Sequence, residues 1–369
     1  MGQGKVAVAG GGGEHGKENH MKALVHDGSG HIAIKDRPMP RVRAARDAVV
    51  RVTRSTICTS DLHIIHGAVP RATPNTVLGH EFVGVVDQIG PEVKKLSVGD
   101  RVAVSCETFC GECFYCARGE VNNCENGGWE LGCCADGCQA EYVRVPYADV
   151  TCSKIPDTVA DEDALFLGDI VSTGHWGAKL AQIDPGSTVA VIGAGPVGLT
   201  SMMCARLFEP GRIVAVDIDP ARLALAHERG LADRIVDARG MSPQQVEAVV
   251  RDLTQGRGAD SVIEAAGAST TFETAWRAAR PHGVVVLSAM YEEPQVLPLP
   301  DMYGKNLVFK TGGVDACDLD ETMRLVEEGR IDTSCLISRR YPLNDILEAY
   351  RAFEAREEGL LKVVITPWE

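Results

Sequence analysis

Short apolar runs of strand length mark the first part of the chain. Ala48-Val49-Val50-Arg51-Val52, Phe82-Val83-Gly84-Val85-Val86 and Arg101-Val102-Ala103-Val104 are rich in β-branched residues, and Pro, Gly and Asp stand between them. From Met21 to about Pro156 this pattern predicts an all-β, barrel-like region with irregular insertions. After about residue 170 the rhythm changes. Strands at Thr188–Ile192, Ile213–Val216, Ser261–Ala265 and Val284–Ser288 alternate with helical stretches such as Leu199–Phe208 and Pro220–Arg229. Such βαβ repetition predicts a parallel sheet with helices on both faces. From about Gly313 the pattern is mixed, and the strand Leu361–Thr366 is expected to rejoin the first region. Residues 1–20 are Gly-rich and polar and read as a disordered leader.

Composition narrows the function. At 369 residues the chain suits two domains, and 45% hydrophobic with 24% charged residues is ordinary for a soluble protein. The formal charge of −14 argues against nucleic acid or an anionic membrane as partner, since both need a basic face. No apolar run approaches the roughly 18 residues of a membrane span, and the first 20 residues carry no secretion signal. The chain has 13 cysteines. Without a secretion signal they point to a reducing, cytoplasmic setting and to metal or catalytic thiols.

Gly193, Gly195 and Gly198 spell G-x-G-x-x-G between the strand Thr188–Ile192 and a helix. Asp217 follows at the end of the next strand, placed to accept hydrogen bonds from ribose hydroxyls. The loop Gly193, Gly195, Pro196, Val197 and Gly198 is therefore expected to cradle a dinucleotide. Asp217 favours NAD and repels the 2′-phosphate of NADP, with the nearby Arg222 in partial opposition. Gly11, Gly13 and Gly16 spell the same pattern, but a polar segment and a strand follow instead of a helix, so this second fingerprint is rejected.

Cys110, Cys113, Cys116 and Cys124 place four thiols within a short loop, as a closed structural zinc site requires. Reduced free thiols on a mobile loop are the alternative. Cys106, Cys133, Cys134 and Cys138 are substitutes for these ligands or small buried hydrophobes. Further donors occur in Cys58-Thr59-Ser60-Asp61-Leu62-His63, Gly79-His80-Glu81 and Gly168-Asp169-Ile170-Val171-Ser172-Thr173-Gly174. A thiolate, an imidazole and a carboxylate could share one zinc and leave a fourth position open, but spacing cannot establish it.

On these motifs together the sequence resembles the zinc-dependent medium-chain alcohol dehydrogenases from Met21 onward. The resemblance implies a GroES-like β-barrel domain over residues 21–169 and 314–369, with a zinc lobe at about 106–138, and a Rossmann domain over 170–313. It implies two zinc ions (Zn2+) per chain. Cys58, His80 and Asp169 would hold the catalytic one, while the four lobe cysteines hold the other. An acidic third ligand looks more like the secondary-alcohol and formaldehyde dehydrogenase branches, although the former often lacks the cysteine lobe. The implied reaction is hydride transfer between a primary or secondary alcohol and NAD, giving an aldehyde or ketone, with zinc as Lewis acid. Ser60 would hydrogen-bond the alcohol, His63 would relay its proton through the cofactor ribose, and Glu81 would sit near the zinc or ligate it transiently. Thr173 would contact the nicotinamide side and Lys362 the pyrophosphate. His66 and His175 read as pocket-wall or surface residues. A polyol dehydrogenase, a formaldehyde dehydrogenase or dismutase, and a non-catalytic binding protein of the same fold are the alternatives. A homodimer or homotetramer is implied, meeting near Val284–Pro300.

Overall fold

The computed structural model describes residues 20–369; the leader and its rejected glycine fingerprint lie outside these, except that His20 already opens the first strand. The strands, in chain order, are β1 (His20–His26), β2 (Ile32–Pro38), β3 (Ala48–Thr56), β4 (Phe82–Ile89), β5 (Arg101–Val104), β6 (Tyr142–Val145), β7 (Cys152–Lys154), β8 (Thr188–Ile192), β9 (Arg212–Asp217), β10 (Arg234–Asp237), β11 (Ala259–Glu264), β12 (Ala279–Leu287), β13 (Val308–Thr311), β14 (Ile337–Pro342) and β15 (Lys362–Thr366). One seven-stranded sheet runs β14-β15-β3-β4-β5-β7, with β6 also paired to β3. The C-terminal strand β15 thus returns to the first region, antiparallel to β3.

The second sheet is wholly parallel and runs β10-β9-β8-β11-β12-β13. The chain starts in the middle at β8, winds outward through β9 and β10, then crosses to β11. The strand order therefore reverses between β8 and β11, and a crevice opens there at the carboxyl ends. Successive residues alternate between two cores. Val189, Val191, Ile213 and Ala215 pack with Leu199 and Met202 on one face, while Ala190, Ile192, Val214 and Val216 pack with Val246 and Val250 on the other. Full burial of one such side chain, Leu199 for example, contributes about 1.5–3 kcal/mol.

Local chemistry starts the helices. Asp219 caps Pro220–Glu228 by accepting from the N–H groups of Ala221 and Arg222. Ser242 and Gln245 form a reciprocal capping box on Pro243–Leu253. The segment 164–171 joins the first core face of the parallel sheet to Val83 and Ala103 of the other sheet, so one apolar core runs through both halves. Among the described residues, no helix is long and apolar enough to cross a membrane.

Candidate active site

Three donor residues meet between the sheets. Cys58 caps the helix Thr59–Ile65, His80 precedes β4, and Asp169 lies in a buried π-helical turn, Leu167–Val171. One ligand atom from each lies within 4.8 Å of the other two. The π turn explains how Asp169 arrives there. A Cβ on Gly168 would come 1.9 Å from the Val104 carbonyl oxygen, so only glycine lets this turn press against β5. The Gly168 carbonyl then accepts from Cys106 N–H at 2.8 Å. Single π turns of this kind recur at functional sites.

The imidazole of His80 stands between two carboxylates. Nε2 lies 3.3 Å from Asp169 Oδ2, and Nδ1 lies 3.4 Å from Asp61 Oδ1. The second distance is a contact rather than a well-formed hydrogen bond, and both of those atoms are buried with no other partner. Burial raises the Asp169 carboxyl, but the hydrogen bond and charge of His80 outweigh it and hold it down to about 2. Burial likewise opposes charge on His80, and Asp61 and Asp169 overcome it and raise its pKa. A thiol, an imidazole and a carboxylate converging in such a field form a donor set that suits a divalent cation.

Asp61 is the hub behind this set. It is fully buried; its Oδ2 accepts from Cys58 N–H at 3.0 Å and from Gln139 Nε2 at 3.1 Å. Gln139 Oε1 in turn accepts from the Tyr350 hydroxyl at 2.8 Å. One chain of hydrogen bonds thus fixes the backbone of Cys58 and faces the ring of His80. Sequence reasoning gave Asp61, Gln139 and Tyr350 no role. The only local signal was Asp61, three residues after Cys58 in a capping-box position.

Ser60 Oγ lies 3.7 Å from Cys58 Sγ. His63, on the same helix, reaches across to the loop after β12 and pairs through Nδ1 with Glu292 Oε1 at 2.7 Å. Glu81 does not join the three donors. Its buried carboxylate pairs with Lys362 Nζ, which also donates to the Ile57 carbonyl at 3.0 Å. Lys362 is therefore placed differently from expectation. Two of its three donors are engaged in the barrel core, against the carboxylate of Glu81, and not at the glycine loop.

The glycine loop lies at the reversal point of the parallel sheet. A Cβ on Gly198 would come 1.9 Å from the Gly193 carbonyl oxygen, which forces the helix Pro196–Arg206 close onto the strand end. Asp217 ends β9, and its carboxylate accepts from the N–H groups of Ala194 and Asp219. The Arg222 guanidinium lies beside Gly195: a Cβ there would come 3.5 Å from it. Pro196 and Val197 form the first turn of the helix. Thr200 Oγ1, on that helix, donates to the Ile170 carbonyl at 2.8 Å, which ties the loop's helix to the Asp169 turn. Thr173 follows in the helix Ser172–Leu180.

In the separate lobe, the sulfurs of Cys110, Cys113, Cys116 and Cys124 all lie within 4.8 Å of one another. The Sγ–Sγ separations are 3.4 Å (Cys113–Cys116), 3.9 Å (Cys110–Cys116) and 4.0 Å (Cys113–Cys124). A tetrahedron of Zn–S bonds of about 2.3 Å has edges of about 3.8 Å, so four thiolates here match zinc. Backbone N–H groups of Cys116 and Glu125 pull the Cys113 thiol down to about 6. The substitutes Cys133, Cys134, Cys106 and Cys138 are not in this cluster. His175, Asp318 and Glu321 also converge, but Lys179 Nζ sits 3.2 Å from Asp318 and already supplies the positive charge. His66 pairs with Glu354 at the surface.

Comparison with known proteins decides the family. The alcohol dehydrogenase GroES-like domain matches residues 44–157, and the zinc-binding dehydrogenase domain matches residues 196–327. An alcohol dehydrogenase of Cupriavidus necator is 35% identical over 94% of this chain and 99% of its own. The chain belongs to the zinc-dependent medium-chain alcohol dehydrogenases. Among solved structures, the apo zinc-dependent alcohol dehydrogenase 2 of Streptococcus pneumonia superposes with a TM-score of 0.89 at 34% identity, covering 95% of this chain and 99% of that one. The alcohol dehydrogenase of Thermus sp. ATN1 gives 0.84 at 36% identity, over 94% and 99%. This dehydrogenase is thus an oxidoreductase built from a GroES-like barrel and a Rossmann sheet, as the resemblance implied.

Proposed function

We propose that the protein is a zinc- and NAD-dependent alcohol dehydrogenase that interconverts a primary or secondary alcohol with its aldehyde or ketone. The observation that carries this reading is the convergence of Cys58, His80 and Asp169 within 4.8 Å. Those three residues hold the catalytic zinc, and Cys110, Cys113, Cys116 and Cys124 hold the structural one. When bound, the catalytic zinc supplies Lewis acidity that lowers the pKa of an alcohol oxygen. Ser60 hydrogen-bonds the alcohol, and His63 moves the released proton toward solvent. Asp61 keeps His80 turned so that Nε2 faces the cluster. The loop Gly193–Gly198 takes the pyrophosphate, and Asp217 takes the ribose hydroxyls, which favours NAD over NADP. Thr173 lines the nicotinamide end.

Metal analysis and spectrophotometry test this together. About two zinc per chain and an alcohol-dependent rise at 340 nm, larger with NAD than with NADP, are expected. About one zinc and no such rise would overturn it. Exposed Val296, Leu297, Leu299 and Tyr303, near the edge strand β13, support a homodimer or homotetramer, which light scattering checks.

A further inference from the structure

One carboxylate beside the cluster has no partner and no part in the scheme above. Glu107 is 4% exposed, its Oε2 is fully buried, and that oxygen makes no hydrogen bond. Its position is closely defined. Ser105 Oγ accepts from the Glu107 N–H at 3.1 Å, and the neighbouring Cys106 N–H bonds the Gly168 carbonyl in the Asp169 turn. On its other side, an antiparallel bridge joins Thr108 to Gly128. A Cβ on Gly128 would come 3.8 Å from Glu107 Oε2.

Trp129 follows directly after Gly128. Its ring stands edge-on to His80, with centroids 5.6 Å apart, and its Nε1–H is also buried without a partner. Two unpartnered polar groups, one a carboxyl and one a donor-only indole, therefore flank a single bridge next to the proposed ligands. Burial and the charge of Asp169 raise the Glu107 carboxyl to about 8, against the pull of His80 and Arg71. Buried polar groups are almost always satisfied, so two neighbouring exceptions call for a missing partner. An indole N–H needs an acceptor, and a carboxylate needs a donor. A hydroxyl is both. An ammonium cannot accept from the indole, and an ether or carbonyl oxygen satisfies the pair only while Glu107 keeps its proton; a hydroxyl satisfies it whether the carboxyl is protonated or ionised.

We propose that Glu107 and Trp129 form a polar subsite for a second hydroxyl of the substrate, so that the enzyme prefers diols or polyols to simple alkanols. The reacting hydroxyl is still the one in the dehydrogenase reading above, on which this inference rests. A site that leaves buried polar groups unpaired discriminates against the substrate lacking their partner.

The test compares 1,2-propanediol with 1-propanol and 2-propanol on the zinc-loaded enzyme, by kcat/KM with NAD and by calorimetric Kd. The wild type should favour the diol by about tenfold or more in kcat/KM. Glu107→Leu should lower the diol-to-alkanol ratio by about tenfold, and Trp129→Phe, which keeps the ring and removes the N–H, by several-fold. Calorimetry should show the same weakening for the diol and little for the alkanols. Equal turnover and equal binding of diol and alkanols by the wild type, or variants that leave both ratios unchanged, would overturn the subsite while leaving the dehydrogenase reading intact. A wild type that oxidises no alcohol yet binds the diol through Glu107 would overturn the dehydrogenase reading and support the subsite.

Discussion

Glu107→Gln should change how stability depends on pH. In the unfolded chain the carboxyl titrates at its ordinary 4.5; in the folded protein, burial and then Asp169 raise it to about 8. Between these values the folded state holds a proton that the unfolded state has released. Stability from this group is therefore fully present below about 4.5 and is lost as pH rises through about 8. The gap corresponds to about 5 kcal/mol in all, and to about 2 kcal/mol between pH 6 and pH 8. Glutamine fills the same space and does not titrate. Relative to the wild type, the variant should gain steadily from pH 6 to pH 8, by about 2–3 °C in Tm for a chain of 369 residues. Paired melts at pH 6, 7 and 8, at constant ionic strength, cancel every group that the two proteins share, the zinc ligands included. Because the group is buried, added salt should alter the difference little. Parallel Tm profiles across this range would show that Glu107 is already ionised and paired, and would refute the claim that its carboxylate is unsatisfied.

Other substitutions separate the remaining roles. Cys58→Ser should abolish alcohol oxidation and lower the zinc content by about one per chain while the lobe keeps its metal; elemental analysis that still finds about two would contradict the ligand assignment. Asp61→Asn should weaken zinc retention against a chelator, or kcat/KM, by about 10–100-fold, since it loosens both the Cys58 backbone and the His80 ring; an unaltered enzyme would remove Asp61 from the site. Glu81→Gln or Lys362→Met alone should cost about 3–5 kcal/mol in denaturant unfolding, because each leaves a buried charge unpaired, whereas the double variant should recover most of the loss; additive losses would deny the pairing.

The parts legible in the sequence are those whose chemistry is local. The glycine loop, the strand before it and Asp217 lie within 30 residues of one another, and their turn, packing and capping demands are written in adjacent positions. The four lobe cysteines are local in the same sense. By spacing alone, Cys58, His80 and Asp169 were legible only as residue types; the family resemblance grouped them, and it is the β3–β5 packing and the Gly168 approach to Val104 that bring them together. Lys362 shows how a local reading fails. A lysine opening a terminal strand looks solvated, but β15 lies between β14 and β3 and buries that residue. An ammonium there persists only against a carboxylate, and Glu81 supplies it from a position 281 residues away. The same reasoning explains why Glu107 passed unnoticed. Between a strand and a cysteine motif, an acidic residue reads as loop surface. It becomes chemically informative only once the Thr108–Gly128 bridge closes over it and sets Trp129 against His80. Among the described residues, buried ionisable groups such as Lys362 and Asp169 found their partners within the chain; Glu107 Oε2 did not, and it stands beside the proposed metal ligands, where the partner can be the substrate.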